Sequence, residues 1–89
     1  MMYVVVEHEI IDSETFFGKA GSVVENVPEG VKTLQFFPNS DKTRAICLWE
    51  GPTVAAVEEY LESTVIGESA KNIYYAVDTE VAMGLPVTV

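Results

Sequence analysis

The chain has 89 residues, of which 48% are hydrophobic and 21% are charged. A chain of this length forms one domain, residues 1–89, because it buries only about 60% of its unfolded surface and cannot divide that into two cores. Its net charge is −9, which repels nucleic-acid phosphates and anionic membrane surfaces, so we expect neither as a partner.

Cysteine usage and the first residues bear on the cellular compartment. Cys47 is the only cysteine, which excludes a disulfide or a thiolate zinc cluster within one chain. Residues 1–6 lack the basic start, the long apolar run and the small-residue cleavage site of a secretory signal. No stretch approaches the roughly 20 apolar residues of a transmembrane helix. We therefore expect a cytoplasmic protein, and no motif indicates a cofactor.

The first half of the chain predicts a strand, a helix and a second strand. Residues 3–10 alternate in polarity as a half-buried strand does. The face of this strand that we expect to be buried carries Val4, Val6, His8 and Ile10. Asp12 or Ser13 can cap a helix that begins there. The apolar stripe of this helix consists of Phe16, Phe17, Ala20, Val23 and Val24. After a turn, residues 31–37 predict the second strand.

A hairpin follows the second strand. Residues 38–42 predict its loop, and residues 43–50 predict the third strand. If Phe37 pairs with Thr43 across this loop, the two strands have one aliphatic face and one mixed face. The mixed face would carry Thr33, Gln35, Phe37, Ala45, Cys47 and Trp49.

A second helix and a last strand complete the pattern. Apolar residues at helical spacing predict the helix from residue 53 to about residue 65, and Gly67 is placed to close it. Residues 72–78 alternate as a strand. The tail, residues 80–89, shows no clear period, so we expect no regular element there.

The order strand, helix, strand, strand, helix, strand indicates an α+β fold of the ferredoxin-like type, a four-stranded antiparallel sheet with two helices on one face. Right-handed crossovers place both helices on one side of the sheet, which we expect to be the aliphatic side. The residues predicted on the opposite, open face include Tyr3, Val5, Phe37, Cys47, Trp49 and Tyr74. This patch is more apolar than monomers usually expose, so we expect a homodimer that pairs through the open sheet face.

Several segments also carry a family resemblance. They are the strand with His8, the run Asp-Ser-Glu-Thr-Phe-Phe at residues 12–17, the hairpin with Cys-Leu-Trp-Glu at residues 47–50, and Gly-Leu-Pro at residues 84–86. Over almost the whole chain the sequence resembles the dimeric α+β barrel superfamily, and within it a group of small uncharacterised proteins. This resemblance implies two ferredoxin-like subunits that pack sheet against sheet around a central cavity. Members of the superfamily include cofactor-independent oxygenases, haem-degrading enzymes, isomerases and small metal binders, and no signature of any one of these activities is complete in this chain.

His8 is the first candidate for chemistry, because an imidazole can act as a general base or a metal ligand near neutral pH. A hydrogen-bonded histidine at the edge of the core is the alternative. Glu7 and Glu9 flank it and point to the open face, where a carboxylate can act as an acid or base or simply reach water. Cys47 is expected on the face opposite His8, so a Cys–His pair within one subunit is disfavoured and the thiol is expected to be inert.

The sequence leaves three functions open. The first is a small homodimeric protein that binds a small organic ligand in a cavity by the open sheet face. Its candidate ligand-binding residues, which are otherwise interface core, are Phe37, Cys47, Trp49 and Tyr74. The second is a cofactor-independent enzyme, monooxygenase-like or isomerase-like, in which His8 or a cavity glutamate such as Glu7 moves a proton. The third is a small metal-binding protein, although neighbouring side chains on a strand point to opposite faces, so no metal ligand is assigned.

Overall fold

Seven elements follow one another in the computed structural model of the chain, which describes residues 1–86. They are β1 (Met2–Ile10), α1 (Ser13–Glu25), β2 (Lys32–Pro38), β3 (Arg44–Gly51), α2 (Val54–Glu62), α3 (Val65–Ser69) and β4 (Ala70–Ala76). The four strands form one antiparallel sheet in the order β2-β3-β1-β4. This order, with helices after β1 and after β3, is a ferredoxin-like arrangement, so the predicted α+β fold is confirmed.

Side-chain caps set the starts of the two longer helices. Asp12 accepts hydrogen bonds from the backbone N–H of Thr15 at 3.1 Å and from its hydroxyl at 2.7 Å, at the start of α1. Thr53 accepts from the N–H of Ala56 at 3.0 Å, at the start of α2. Each cap satisfies an N–H that has no partner inside its helix. Asp12 is one of the two caps predicted for α1, and α2 begins one residue after its predicted start.

The helix predicted over residues 53 to about 65 is divided into two. The hydroxyls of Ser63 and Thr64 donate at 2.6 Å to backbone carbonyls of the last turn of α2, which ends at Glu62. Thr64 then caps α3 by accepting a hydrogen bond from its first turn at 3.2 Å. Hydroxyl groups that bond to nearby backbone compete with a continuous helix. Gly67, expected to close the helix, lies within α3.

The core lies between the helices and one face of the sheet. Its buried cluster consists of Val4, Val6, Phe16, Val23, Val31, Cys47, Trp49, Val57, Leu61, Ile66 and Ala70. Val4 and Val6 on β1 are fully buried, as the alternation of β1 predicts. Cys47 and Trp49 are 5% and 2% exposed, so the prediction that they lie on the uncovered face of the sheet is wrong.

The register between β2 and β3 explains this error. Phe37 pairs with Ile46 rather than with Thr43. The Asn39 side chain accepts hydrogen bonds from two backbone N–H groups on the far side of the turn, both at 2.9 Å, and Pro38 belongs to β2. The partner of Phe37 is thus three residues further along the chain than predicted, and an odd shift exchanges the two faces of a strand.

A β-bulge at Leu34 further changes which side chains of β2 face the helices. Thr33 pairs with Trp49 and Phe36 pairs with Cys47, and the register shifts between them. Because Leu34 is an additional residue on β2, Thr33 and Phe36 share the helix-facing side although they are three positions apart. The bulge therefore places a hydroxyl and an aromatic ring beside Trp49 and Cys47.

The other face of the sheet is open. Its exposed apolar side chains include Phe37, Ile46, Ile73 and Tyr75. Tyr74, which was predicted on this face, pairs with Val6 and packs against the core. That prediction is wrong, because the alternation of β4 places its odd-numbered residues outward.

Two further observations concern long helices and the end of the chain. No helix within residues 1–86 is long and apolar enough to cross a membrane. Residues 80–86 contain a turn but neither helix nor strand, as predicted for the tail. The rest of that predicted tail, residues 87–89, lies outside the described residues.

Candidate functional site

A cleft of about 630 Å³ opens between α1 and the helix-facing side of the sheet. Its walls carry aromatic and aliphatic side chains, among them Phe16, Phe17, Val24 and Phe36. His8 on β1 and Cys47 and Trp49 on β3 form its floor. The volume is within the range of about 300–1,000 Å³ that is typical of small-molecule sites.

Cys47, His8 and Asn72 form a hydrogen-bonded chain that runs from this floor to β4. His8 pairs directly with Asn72 across β1 and β4. The Sγ atom of Cys47 is 3.0 Å from Nε2 of His8, and Nδ1 of His8 is 2.6 Å from Oδ1 of Asn72. The prediction that a Cys–His pair is disfavoured within one subunit is therefore wrong, because the face of β3 was wrongly assigned.

The partners of Asn72 fix the direction of these hydrogen bonds. Its Nδ2 donates to Oε2 of Glu62 at 2.8 Å and lies 3.3 and 3.4 Å from two backbone carbonyl oxygens. The amide oxygen of Asn72 therefore faces His8. Because an amide oxygen only accepts, Nδ1 of His8 carries the proton, and Nε2 accepts from the thiol of Cys47.

Burial keeps both reactive groups neutral at pH 7. Desolvation lowers the pKa of His8, against the smaller effects of its hydrogen bond to Asn72 and the charge of Glu62. Burial raises the pKa of the Cys47 thiol to about 12. The indole of Trp49 opposes this increase, although its N–H does not meet the geometry of a hydrogen bond to the sulfur. A neutral thiol beside a neutral imidazole passes its proton to the imidazole as the sulfur attacks an electrophile.

Two buried polar atoms, on residues that line the cleft, lack a hydrogen-bond partner among the residues that the structure describes. They are Nε1 of Trp49 and Oγ1 of Thr33, and both residues line the cleft. Because Thr33 pairs directly with Trp49, the two side chains are neighbours on one face. An unpaired buried donor costs about 1–3 kcal/mol. Both atoms are themselves enclosed, so a ligand acceptor would reach them after a small movement of the neighbouring side chains and would then remove that penalty.

The remaining predicted site residues lie elsewhere. Glu7 and Phe37 line a smaller pocket of about 230 Å³ by the loop between β2 and β3. Tyr74 lies on the helix side, where its hydroxyl donates to Glu62. Thus three of the six predicted site residues meet in the cleft, and the roles assigned to all six stay predictions.

Asn72 and Thr33 were not among the predicted site residues. An asparagine inside a strand is unusual, since strands are depleted in this residue. That signal marks Asn72 as a position of interest, but only the register between β1 and β4 places it opposite His8. Thr33 gave no comparable signal, because a threonine in a strand is common.

The cleft does not have the composition of a metal centre. Within residues 1–86, no group of three or more histidine, cysteine, aspartate or glutamate side chains is arranged to hold a metal ion. Of these residue types, the described lining of the cleft contains His8 and Cys47. Structural zinc sites use four such ligands.

The chain was compared with protein families, curated proteins and solved structures. No family model matches it, and neither a curated protein nor a solved structure does. The function is therefore inferred from the chemistry of the cleft.

Proposed function

We propose that this protein binds a small organic molecule with an apolar body and one hydrogen-bond acceptor, in the cleft between α1 and the sheet. The unpartnered indole N–H of Trp49, in a cleft with mostly apolar walls, carries this proposal. In the wall, the rings of Phe16, Phe17 and Phe36 have centroids 5.0, 6.2 and 6.3 Å apart. Such a wall suits a flat or apolar ligand, and the N–H of Trp49 would fix its orientation.

The charge of the cleft limits the ligand further. Lys32 is the one charged side chain in the described lining, and His8 is neutral. A ligand with several negative charges would therefore find one cation in a protein of net charge −9. We infer that the ligand is neutral or carries a single negative charge.

Homodimerisation through the open sheet face is part of the same proposal. The exposed side chains of Phe37, Ile46 and Ile73 support pairing with a second copy. This is the arrangement of the dimeric α+β barrel proteins that the sequence resembles. We assign the ligand to the helix-side cleft rather than to a cavity by the open face, because Cys47 and Trp49 line that cleft.

Titration with 2-naphthol, an aromatic molecule with one hydroxyl oxygen, tests the ligand-binding proposal. Trp49 is the only tryptophan, so a ¹⁵N-labelled sample gives a single indole N–H signal. We expect this signal to shift saturably as 2-naphthol is added. The absence of a saturable shift with 2-naphthol would contradict the proposal.

Two alanine-to-phenylalanine substitutions locate the binding. Ala20 lines the cleft, whereas Ala55 is exposed on α2 and is not part of its lining. Filling the cleft with Ala20→Phe should weaken binding by roughly tenfold or more, because the inserted ring takes the space of the ligand. Ala55→Phe should leave binding unchanged. Equal binding by the two variants, with both NMR spectra showing a folded chain, would place the ligand elsewhere.

A further inference from the structure

The hydrogen-bonded chain in the floor of the cleft suggests a reaction for the bound molecule. We propose that the ligand is an activated acyl ester and that Cys47 accepts its acyl group, with His8 as the base and Trp49 and Thr33 as donors to the oxyanion. This proposal rests on the proposed binding of a small organic molecule in the cleft. It adds the chemical class of the ligand and a role for each polar group of the floor.

The strand register places these groups in three successive rows on the helix-facing side of the sheet. Thr33 and Trp49 form the first row, Cys47 lies in the second row, and His8 and Asn72 form the third. The thiol therefore has its base on one side and two unpartnered donors on the other. A carbonyl group bound over Sγ can turn its oxygen toward the donors while the thiol proton moves to Nε2.

The acylation step balances with groups that are present. The Cys47 sulfur attacks the carbonyl carbon, its proton passes to Nε2 of His8, and the C=O π electrons move to the oxygen. The oxyanion accepts hydrogen bonds from Trp49 and Thr33. When the C–O bond to the leaving group breaks, Nε2 returns the proton to the departing oxygen, and a thioester remains on Cys47.

Hydrolysis of this thioester restores the enzyme and uses water as the co-reactant. His8 removes a proton from the water, the resulting hydroxide attacks the thioester carbonyl, and a carboxylic acid leaves. The proton held by His8 returns to the sulfur. No oxidant or reductant is required in either step.

The unpartnered donors separate this assignment from a purely structural histidine. A hydrogen-bonded His8 could simply fill the core, and that alternative accounts for its contacts with Cys47 and Asn72. It does not account for an indole N–H that is left without a partner when Trp49 is only 2% exposed. Buried donors are normally paired, and a row of two such donors beside a thiol is the arrangement that stabilises an oxyanion.

The lining of the cleft and the nucleophile define the class of ester. The apolar walls suit an acyl group without charge. Because the sulfur of Cys47 is itself a good leaving group, acylation is most favourable when the expelled group leaves more readily than the sulfur, so we infer an ester of a phenol. 4-Nitrophenyl butyrate has both properties and is the probe that we would use.

Reaction of the folded protein with 4-nitrophenyl butyrate tests the assignment. We expect release of 4-nitrophenolate and, after acid quenching and peptide mapping, a butyryl group on Cys47. Acylation should be roughly 10²-fold or more faster than for the same protein unfolded in urea at the same pH. An equal rate in the folded and unfolded protein, or retention of the release by Cys47→Ala, would overturn the proposal.

Trp49→Phe separates oxyanion stabilisation from general thiol reactivity. It keeps an aromatic ring in the core but removes the N–H, so acylation should slow by roughly 10²-fold. Alkylation of Cys47 by iodoacetamide forms no oxyanion, so it should slow much less than acylation, only because the thiol loses the pKa-lowering effect of the indole. Thermal unfolding confirms that the variant is folded. If Trp49→Phe slows acylation and alkylation equally, the donors have no catalytic role and the proposal fails.

Asn72 is a positioning residue in this scheme, because it holds the tautomer of His8. Asn72→Leu should slow acylation. In the double variant Asn72→Asp with Glu62→Gln, an oxygen still faces Nδ1 and the glutamine amide can donate to the other carboxylate oxygen, so acylation should be restored. Of the described residues that perturb the imidazole, Cys47 on β3 and Glu62 on α2 are the titratable ones. A carboxylate at position 72 would raise the pKa of His8, so the rising limb of the pH–rate profile should move to higher pH. An unmoved profile would remove the proposed role of His8 as base.

The two proposals fail in different experiments. If Cys47→Ala still binds 2-naphthol and the folded wild type shows no enhanced acylation, ligand binding stands and acyl transfer is wrong. If neither 2-naphthol nor 4-nitrophenyl butyrate affects the indole signal of Trp49, both proposals are wrong.

Discussion

His8 and Cys47 are ionisable groups that the fold keeps neutral, and each makes stability depend on pH in a different range. The pKa of His8 is lowered by burial. The contribution of His8 to the free energy of unfolding is therefore complete above pH 6.5, the ordinary pKa, and is lost as pH falls below that value. The pKa of Cys47 is raised from 9.0 to about 12. The contribution of Cys47 to the free energy of unfolding is therefore complete below pH 9.0 and is lost as pH rises from 9.0 toward about 12.

The alkaline range gives a prediction for Cys47. Between pH about 8 and about 10.5, the free energy of unfolding of the wild type should fall by about 1–2 kcal/mol relative to that of Cys47→Ala, because only the unfolded wild type gains a thiolate. Urea unfolding of both proteins at the two pH values measures this difference. Because tyrosines and lysines titrate in both proteins, their effects cancel. A constant difference would show that the thiol is not desolvated.

At the scale of elements, the short helix α3 connects the core to the candidate site. It follows α2 after a two-residue turn and leads directly into β4, which carries Asn72. The helix α3 packs closely against the end of α2 at Gly67, where a Cβ atom would lie 2.5 Å from the carbonyl oxygen of Glu62. Real Cβ atoms do not approach backbone so closely, so α3 can occupy this position only with a glycine there.

Two glycine-to-alanine substitutions test this packing. Gly67→Ala should destabilise the protein by about 1–3 kcal/mol, because the backbone of α2 and α3 must separate. Gly18→Ala is the matched control: Gly18 lies inside α1, and apart from its chain neighbours and the nearby backbone of α1 no atom is within 4 Å of the point that an added methyl group would occupy. There alanine should stabilise the protein by roughly 0.5–1 kcal/mol. Urea unfolding measures both, and unchanged stability of Gly67→Ala would contradict the close approach.

The strand pairings also show what could be predicted from the sequence. The polarity alternation of β1 identifies its buried face, because Val4 and Val6 repeat with period two and one side of β1 is covered. The faces of β3 could not be predicted in the same way, since both of them are apolar. They depend on the turn at Asn39 and on the bulge at Leu34, and each changes the pairing by local hydrogen bonding that composition does not reveal. The predicted fold class was therefore correct, whereas half of the predicted site was assigned to the wrong face.

At the scale of the whole molecule, charge and apolar surface act in opposite directions on self-association. Two copies of net charge −9 repel each other, and Glu7 lies on the same face as the exposed apolar patch. Burial of that patch must exceed the repulsion for a dimer to form. Added salt screens the repulsion, so we expect the proposed dimer to strengthen as ionic strength rises.

Two isoleucine-to-lysine substitutions test the proposed dimer. Ile73 is 63% exposed on the open face, and Ile11 is 64% exposed beyond the end of β1. We expect sedimentation at micromolar concentration to show a dimer for the wild type and for Ile11→Lys, and a monomer for Ile73→Lys. A lysine on the open face would be desolvated in the interface, whereas at position 11 it stays in water. A monomeric wild type would contradict the proposed homodimer.

The bulge at Leu34 makes the chemistry of the cleft depend on strand length as well as on residue identity. Deleting Leu34 would restore regular pairing and keep Thr33 and Phe36 on the helix-facing side, because the two residues would then be two positions apart. The cleft would lose the Leu34 side chain from its lining, and the polar groups of its floor would keep their places. A related chain that is one residue shorter here would keep Cys47, His8 and Asn72 and still select a different ligand. When sequences are aligned over β2, the position of a gap therefore matters more than the identity of the aligned residues.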